Sequence, residues 1–89
     1  MNEMTLSGML RTLGSHYAQN EANYFIVVVE GVGPAPEIII NMKENFETKK
    51  EYYQNAYMED LSLRVNPKIK IIGYNLVADL KEFLIGDEE

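Results

Sequence analysis

The segment Tyr24–Glu30, with the sequence YFIVVVE, constrains the fold more than any other part of the chain. Its aromatic and β-branched residues favour a β-strand. Both faces of that strand would be apolar, with Phe25, Val27 and Val29 on one side and Tyr24, Ile26 and Val28 on the other. A strand that is buried on both sides needs cover on both sides of its sheet.

The rest of the first half predicts two helices and a second strand. Residues 5–19 carry apolar side chains at i, i+3, i+4, i+7 and i+11, which indicates an amphipathic helix. The apolar run after Pro36 predicts a strand over residues 37–41. Asn41 and Glu44 have the spacing of a capping box, so we expect a helix from there to about Tyr57.

In the second half, alternating apolar and polar residues predict strands over residues 61–65 and 68–72. Gly73 is expected to end the last strand, and Asn75 to cap a third helix. The apolar stripe of that helix would consist of Leu76, Val77, Leu80, Phe83 and Leu84, with Gly86 at its end. These elements predict an α+β fold of order α-β-β-α-β-β-α, with a four-stranded, mainly antiparallel sheet and packed helices.

Length and composition indicate one small domain. The 89 residues suffice for a single domain over residues 1–89, with a frayed acidic tail at 87–89. The absence of cysteine excludes disulfides and thiolate metal sites, and fits a reducing compartment. The longest apolar run is far shorter than the roughly 20 residues of a membrane span. We therefore expect a cytoplasmic protein without a membrane partner.

The charge balance argues against a nucleic-acid partner. Asp and Glu outnumber Lys and Arg by 14 to 8, and the formal net charge is −6. Binding to DNA or RNA depends on basic side chains that neutralise phosphates. The only basic cluster is Arg64, Lys68 and Lys70. We expect no nucleic acid among the partners.

The turn Gly31-Val-Gly33-Pro-Ala-Pro36 follows an apolar strand, as a phosphate-binding loop would. A dinucleotide fingerprint needs a third glycine and a helix directly after it, whereas this chain has Pro36 and then an apolar β-like run. The two prolines also lack the N–H groups that would bind phosphate. We interpret the segment as a long hairpin loop and expect no small-molecule cofactor.

No residue of the sequence is expected to be catalytic or to bind a metal. His16 is the only histidine, and nitrogen and sulfur ligand sets need several such residues. Glu44, Glu47 and Glu51 have the spacing of a solvated helix face, with lysines among them. Because no nucleophile–base pair stands out, the sequence predicts a protein that is not an enzyme.

A difference between the predicted strands suggests a protein interface. The first two strands are apolar on both faces, whereas the last two are largely apolar on one face only. Two arrangements stay open: the three helices divide two and one across the faces of the sheet and cover both, or all lie on one face. In the second case the other face exposes an apolar patch of a kind that monomers rarely tolerate. The hypothesis is a non-catalytic protein–protein interaction module that binds a partner or itself as a homodimer. Its interface residues would be Ile26, Val28 and Ile39 on that exposed face of the sheet, and Tyr52 on a helix. Two alternatives stay open, an acidic inhibitor of a nucleic-acid-binding enzyme and a small enzyme of unknown reaction.

The middle of the chain carries a residue pattern that is similar to one in other proteins. It rests on the residues Glu37-Ile-Ile-Ile-Asn41, Asn45-Phe46, Lys49, Tyr52-Tyr53, Ala56-Tyr57 and Asp60-Leu61-x-Leu63. This pattern, over about the middle half of the chain, resembles small uncharacterised proteins encoded by phages and prophages of Gram-positive bacteria. The resemblance implies a phage-related accessory protein, but it implies no activity and no functional residue.

Overall fold

A computed structural model of the chain describes residues 4–81. The fold is α+β, as predicted, with three α-helices and a four-stranded antiparallel sheet in the described residues. The elements are α1 (Leu6–Leu13), α2 (His16–Asn20), β1 (Tyr24–Glu30), β2 (Glu37–Met42), a 3-10 turn (Lys43–Asn45), α3 (Phe46–Ala56), β3 (Ser62–Leu63) and β4 (Asn66–Val77).

The strand order in the sheet is β2-β1-β4-β3. β1 is a central strand because it pairs with β2 on one side and with β4 on the other. A register shift between Val28 and Val29 marks an irregularity in the β1–β4 ladder. The backbone of β1 is therefore paired along both edges, and most of its residues are buried.

The predicted first helix is two helices. α1 ends at Gly14, whose N–H donates to the carbonyl oxygens of Leu10 and Arg11. Ser15 is the N-cap of α2, because its hydroxyl accepts a hydrogen bond from the Ala18 N–H. The low helix propensity of glycine and this second cap together break the helix.

The predicted capping box at Asn41 and Glu44 is wrong. Asn41 lies in β2 with a buried side chain, whose Nδ2 donates to the carbonyl oxygen of Phe25 (3.2 Å) and to the hydroxyl oxygen of Tyr53 (3.1 Å). The 3-10 turn follows, and α3 begins at Phe46 without a side-chain cap. A buried amide must be hydrogen-bonded, and the sheet and α3 supply its partners.

The predicted end of the last strand at Gly73 is also wrong. β4 continues through Gly73 and Asn75 to Val77, and pairs with β1 along this stretch. Leu76 and Val77 are therefore buried strand residues and not the start of a helical stripe. Ladder hydrogen bonds with a central strand outweigh the local signals of Gly and Asn. Phe83, Leu84, Gly86 and the tail at 87–89 lie outside the described residues.

The three helices α1, α2 and α3 pack on one face of the sheet. Phe25, Val27 and Val29 of β1 form the core with apolar residues of the helices, namely Leu6, Met9, Leu13, Ala18, Phe46 and Tyr53. Phe25 makes edge-to-face contacts with the rings of Phe46 and Tyr53. The side chains of Tyr24, Ile26 and Val28 point to the opposite face, which we call the second face.

Candidate protein interface at the edge strand

The two edges of the sheet differ in how they are protected. β3 is only two residues long, and its outer side is paired, because Tyr57 forms an isolated bridge with Leu63. The N–H of Met58 also donates to the carbonyl oxygen of Ser62. β2 is six residues long, and within residues 4–81 no strand pairs with its outer side. An unpaired edge of this length is a template for another strand.

The direction of the free backbone groups of β2 follows from one hydrogen bond. The N–H of Lys43 donates to the carbonyl oxygen of Asn23 at 2.9 Å, so this residue points its backbone towards β1. Along an antiparallel strand the backbone groups point to alternate sides. Ile38, Ile40 and Met42 therefore direct their N–H and C=O groups outward, to the free edge.

The same three residues carry exposed apolar side chains. Ile38 opposes Val28 in the register, Ile40 opposes Ile26 and Met42 opposes Tyr24, so all three lie on the second face. Their exposed fractions are 54%, 46% and 47%. We call Ile38, Ile40 and Met42 the edge patch. It combines large apolar side chains with backbone groups that have no partner strand in the described part of the chain.

The predicted interface residues do not form one surface. Ile26 is on the second face, but only 1% of it is exposed, so it is a core residue and cannot contact a partner. Val28 is half-buried on the same face. Ile39 opposes Val27 and therefore lies on the helix-covered face, and not on the face of Ile26 and Val28 as predicted. Side chains alternate between the two faces of the sheet along β2, so Ile39 faces the side opposite to Ile38 and Ile40. Because all three residues are isoleucine, the sequence does not show which of them lies on which face.

Tyr52 is exposed, but it lies on α3 and thus on the other side of the sheet from Val28. Its ring is held by an edge-to-face contact with Tyr53 at 5.2 Å between ring centroids. The ammonium group of Lys49 lies 5.4 Å from its centroid, within the range of a cation–π interaction. These contacts within α3 account for the position of Tyr52 without a partner.

The loop between β1 and β2 confirms the hairpin interpretation. Gly31–Pro36 connects two strands that pair antiparallel from Val29↔Glu37 onwards, and every residue of the loop is exposed. No helix begins after it, because β2 follows directly. The loop therefore lacks the helix N-terminus on which a dinucleotide pyrophosphate would lie.

A cleft of about 450 Å³ lies at the other end of the molecule, and its lining comprises Met4, Thr5, Glu59, Asp60, Leu61, Lys70 and Ile71. Its carboxylates serve local structure. Glu59 accepts a hydrogen bond from the Ser7 hydroxyl, and Asp60 accepts from the hydroxyl and the N–H of Ser62. The bonds from Ser62 lower the pKa of Asp60. This arrangement describes a capped turn and shows no acid–base pair.

The remaining polar candidates are solvated. His16 is exposed, and its Nδ1 is 3.1 Å from the side-chain amide of Asn20 one helical turn away. Glu44, Glu47 and Glu51 are exposed, and Glu47 is 3.8 Å from the ammonium group of Lys50. Within residues 4–81 no group of three or more His, Asp or Glu side chains is placed to hold a metal ion. Within the same range, no helix is long and apolar enough to cross a lipid bilayer.

The three residues of the edge patch, Ile38, Ile40 and Met42, are not among the predicted interface residues. A signal for them does exist in the chain, because Pro34 and Pro36 stand directly before β2. Proline cannot donate to a ladder and is found at edge strands and at strand beginnings. Only the strand order, however, shows which strand of the hairpin is at the edge.

Comparisons of the chain with protein-family models, with curated proteins and with solved structures find no match.

Proposed function

We propose that this protein is a non-catalytic protein–protein interaction module that associates with a second copy of itself through β2. The observation that supports this proposal is the edge patch, in which three exposed apolar side chains stand beside backbone groups that no strand within residues 4–81 pairs. A strand added at this edge would gain main-chain hydrogen bonds and cover apolar surface at the same time. The phage-related role that the resemblance implies is a further proposal.

The partner at this edge is a second copy of the chain, because the sequence of β2 is complementary to itself when two copies pair antiparallel. On the two sides of Ile40, the chain has apolar residues at Ile38 and Met42. It then has opposite charges at Glu37, where β2 begins, and at Lys43, directly after β2 ends. A two-fold axis through this strand brings each residue against its counterpart of matching character. An acidic inhibitor would need its carboxylates on one surface. In this chain the carboxylates are distributed over α3, the loops and the ends of strands.

The test is the oligomeric state of the full chain. Light scattering coupled to size-exclusion chromatography should give a dimer for the wild type. Ile40→Lys should give a monomer with an unchanged circular dichroism spectrum, because Ile40 is half exposed and a lysine is well tolerated at a free edge.

The matched control is Val65→Lys. Val65 is 88% exposed in the turn between β3 and β4, so this variant changes the net charge equally without touching β2. It should remain a dimer. A wild type that is strictly monomeric at about 1 mM, a concentration at which even weak association is visible, would overturn the proposal. So would a dimer that Ile40→Lys leaves intact.

A further inference from the structure

We infer that two copies pair antiparallel through β2 in a single register, with the two-fold axis at Ile40, to form one continuous eight-stranded sheet. This inference rests on the proposed self-association and specifies its geometry. It follows from the direction of the backbone groups, the face of each side chain and the charges at the strand ends.

The backbone restricts the register first. A two-fold axis perpendicular to the sheet places a residue of β2 opposite its own copy, so the axis can lie at Ile38, Ile39, Ile40 or Asn41. With the axis at Ile40, this residue pairs with itself and Ile38 pairs with Met42 of the other copy. All three outward-facing residues then exchange both of their backbone hydrogen bonds. An axis at Ile38 or Ile39 would bring Pro36, which has no N–H, into the ladder.

The side chains favour the same register. On the second face, the Ile40 side chains of the two copies meet at the axis, with an Ile38–Met42 pair on each side. All of these are large apolar side chains that are about half exposed in the single chain. Directly opposed apolar pairs are the unit that stabilises an antiparallel ladder. An axis at Asn41 would leave Ile38 without an apolar partner in the ladder.

The charges at the two ends agree as well. In the register centred on Ile40, Glu37 stands opposite Lys43 of the other copy, and symmetry creates this pair twice. Both residues are exposed. Opposite charges in directly opposed positions stabilise a ladder, whereas like charges destabilise it. The other registers do not oppose these two residues.

Disulfide trapping tests the register, and the chain suits it because it contains no cysteine. In the proposed pairing the Cα atoms of the two copies of residue 40 are about 5.5 Å apart, within the range of a disulfide. Residue 39 is about 8 Å from its copy, and residue 38 about 14 Å. Ile40→Cys should therefore form a covalent dimer with oxidised glutathione at least about tenfold faster than Ile39→Cys, Ile38→Cys or Met42→Cys alone. A mixture of Ile38→Cys and Met42→Cys should cross-link into the heterodimer.

Charge reversal provides a second measurement that needs no oxidation. Glu37→Lys or Lys43→Glu alone should weaken the dimer by about three- to tenfold, because each places two like-charged pairs at the ends of the ladder. The double variant should restore the dissociation constant to within about twofold of the wild type. Analytical ultracentrifugation measures these constants.

The outcomes separate this inference from the proposed function. A wild type without a dimer overturns both. A dimer that Ile40→Lys dissociates, but that is trapped fastest by cysteine at position 38, 39 or 42, leaves the proposed function standing and overturns the register. Charge reversals that do not compensate each other in the double variant also overturn it.

Discussion

Gly31 is the residue whose backbone leaves the least freedom for substitution. Its φ is +99°, a conformation that side-chain-bearing residues rarely adopt. A Cβ added there would lie 2.1 Å from the carbonyl oxygen of Lys68 in β4. A glycine is therefore required at position 31, because the chain leaves β1 there in close contact with β4. Gly33 has nothing within 4 Å of an added Cβ.

This difference predicts that alanine at position 31 lowers the free energy of unfolding much more than alanine at position 33 of the same loop. Gly31→Ala should lower the free energy of unfolding by about 2 kcal/mol or more, because backbone strain and a clash with β4 add together. Gly33→Ala should change it by less than about 0.5 kcal/mol. Urea denaturation followed by circular dichroism measures both. Equal effects would show that the packing of Gly31 against Lys68 does not determine the loop.

Asn41 shows how one buried residue can override a local signal. Its sequence context fits a helix cap, yet its amide links β1 to α3 through Phe25 and Tyr53. An amide that is removed from water costs about 1–3 kcal/mol when it is left unpaired. The sequence could not show that Tyr53, twelve residues away, would supply one of the partners.

At the scale of elements, the end of α3 concentrates buried tyrosine. Tyr53 and Tyr57 are both in the core, with ring centroids 5.8 Å apart. Burial, with smaller effects of Tyr52 and Tyr53, raises the pKa of Tyr57 to about 12. Burial also raises the pKa of Tyr53, and the hydrogen bond from Asn41 opposes this in part.

These shifts predict a loss of stability in alkali. In the unfolded chain both tyrosines titrate near their ordinary pKa of 10, whereas in the folded protein they hold their protons to higher pH. The unfolded state therefore releases protons first, and the free energy of unfolding falls as the pH rises from about 10 to 12.

Urea midpoints at about pH 9 and pH 11 measure this effect. Tyr57→Phe should reduce the difference between the two midpoints, because it removes one of the two groups. Tyr17→Phe, at an exposed tyrosine, should not reduce it. A difference that is the same in wild type and Tyr57→Phe would contradict the assignment.

At the scale of the whole molecule, like net charges oppose association. Each chain carries a formal charge of −6, and the described part measures 35 × 30 × 29 Å. Two such bodies about 30 Å apart in water repel with about 5 kcal/mol before screening by salt. At about 0.1 M salt the screening length falls to about 10 Å, and most of this repulsion disappears.

We therefore predict that the dimer becomes tighter when salt is raised from about 10 to 100 mM, since two exposed ion pairs contribute less than the repulsion that is removed. Sedimentation at a series of salt concentrations measures this. An acidic inhibitor bound to a basic enzyme would show the opposite dependence, so weakening of the complex by salt would favour that alternative.

The sequence by itself determined the class of the fold and indicated which strand is apolar on both faces. The two apolar faces of Tyr24–Glu30, the prolines of the loop and the periodicity of residues 5–19 are local patterns, and local patterns report which residues must be buried. The tertiary structure alone decided which strand is at the edge, where β4 ends and on which face the helices lie. Those properties depend on hydrogen bonds between segments far apart in the chain, such as β1 with β4, which override the local signals of Gly73 and Asn75. For the same reason the sequence suggested an interface on Ile26, whereas the strand order exposes Ile38, Ile40 and Met42.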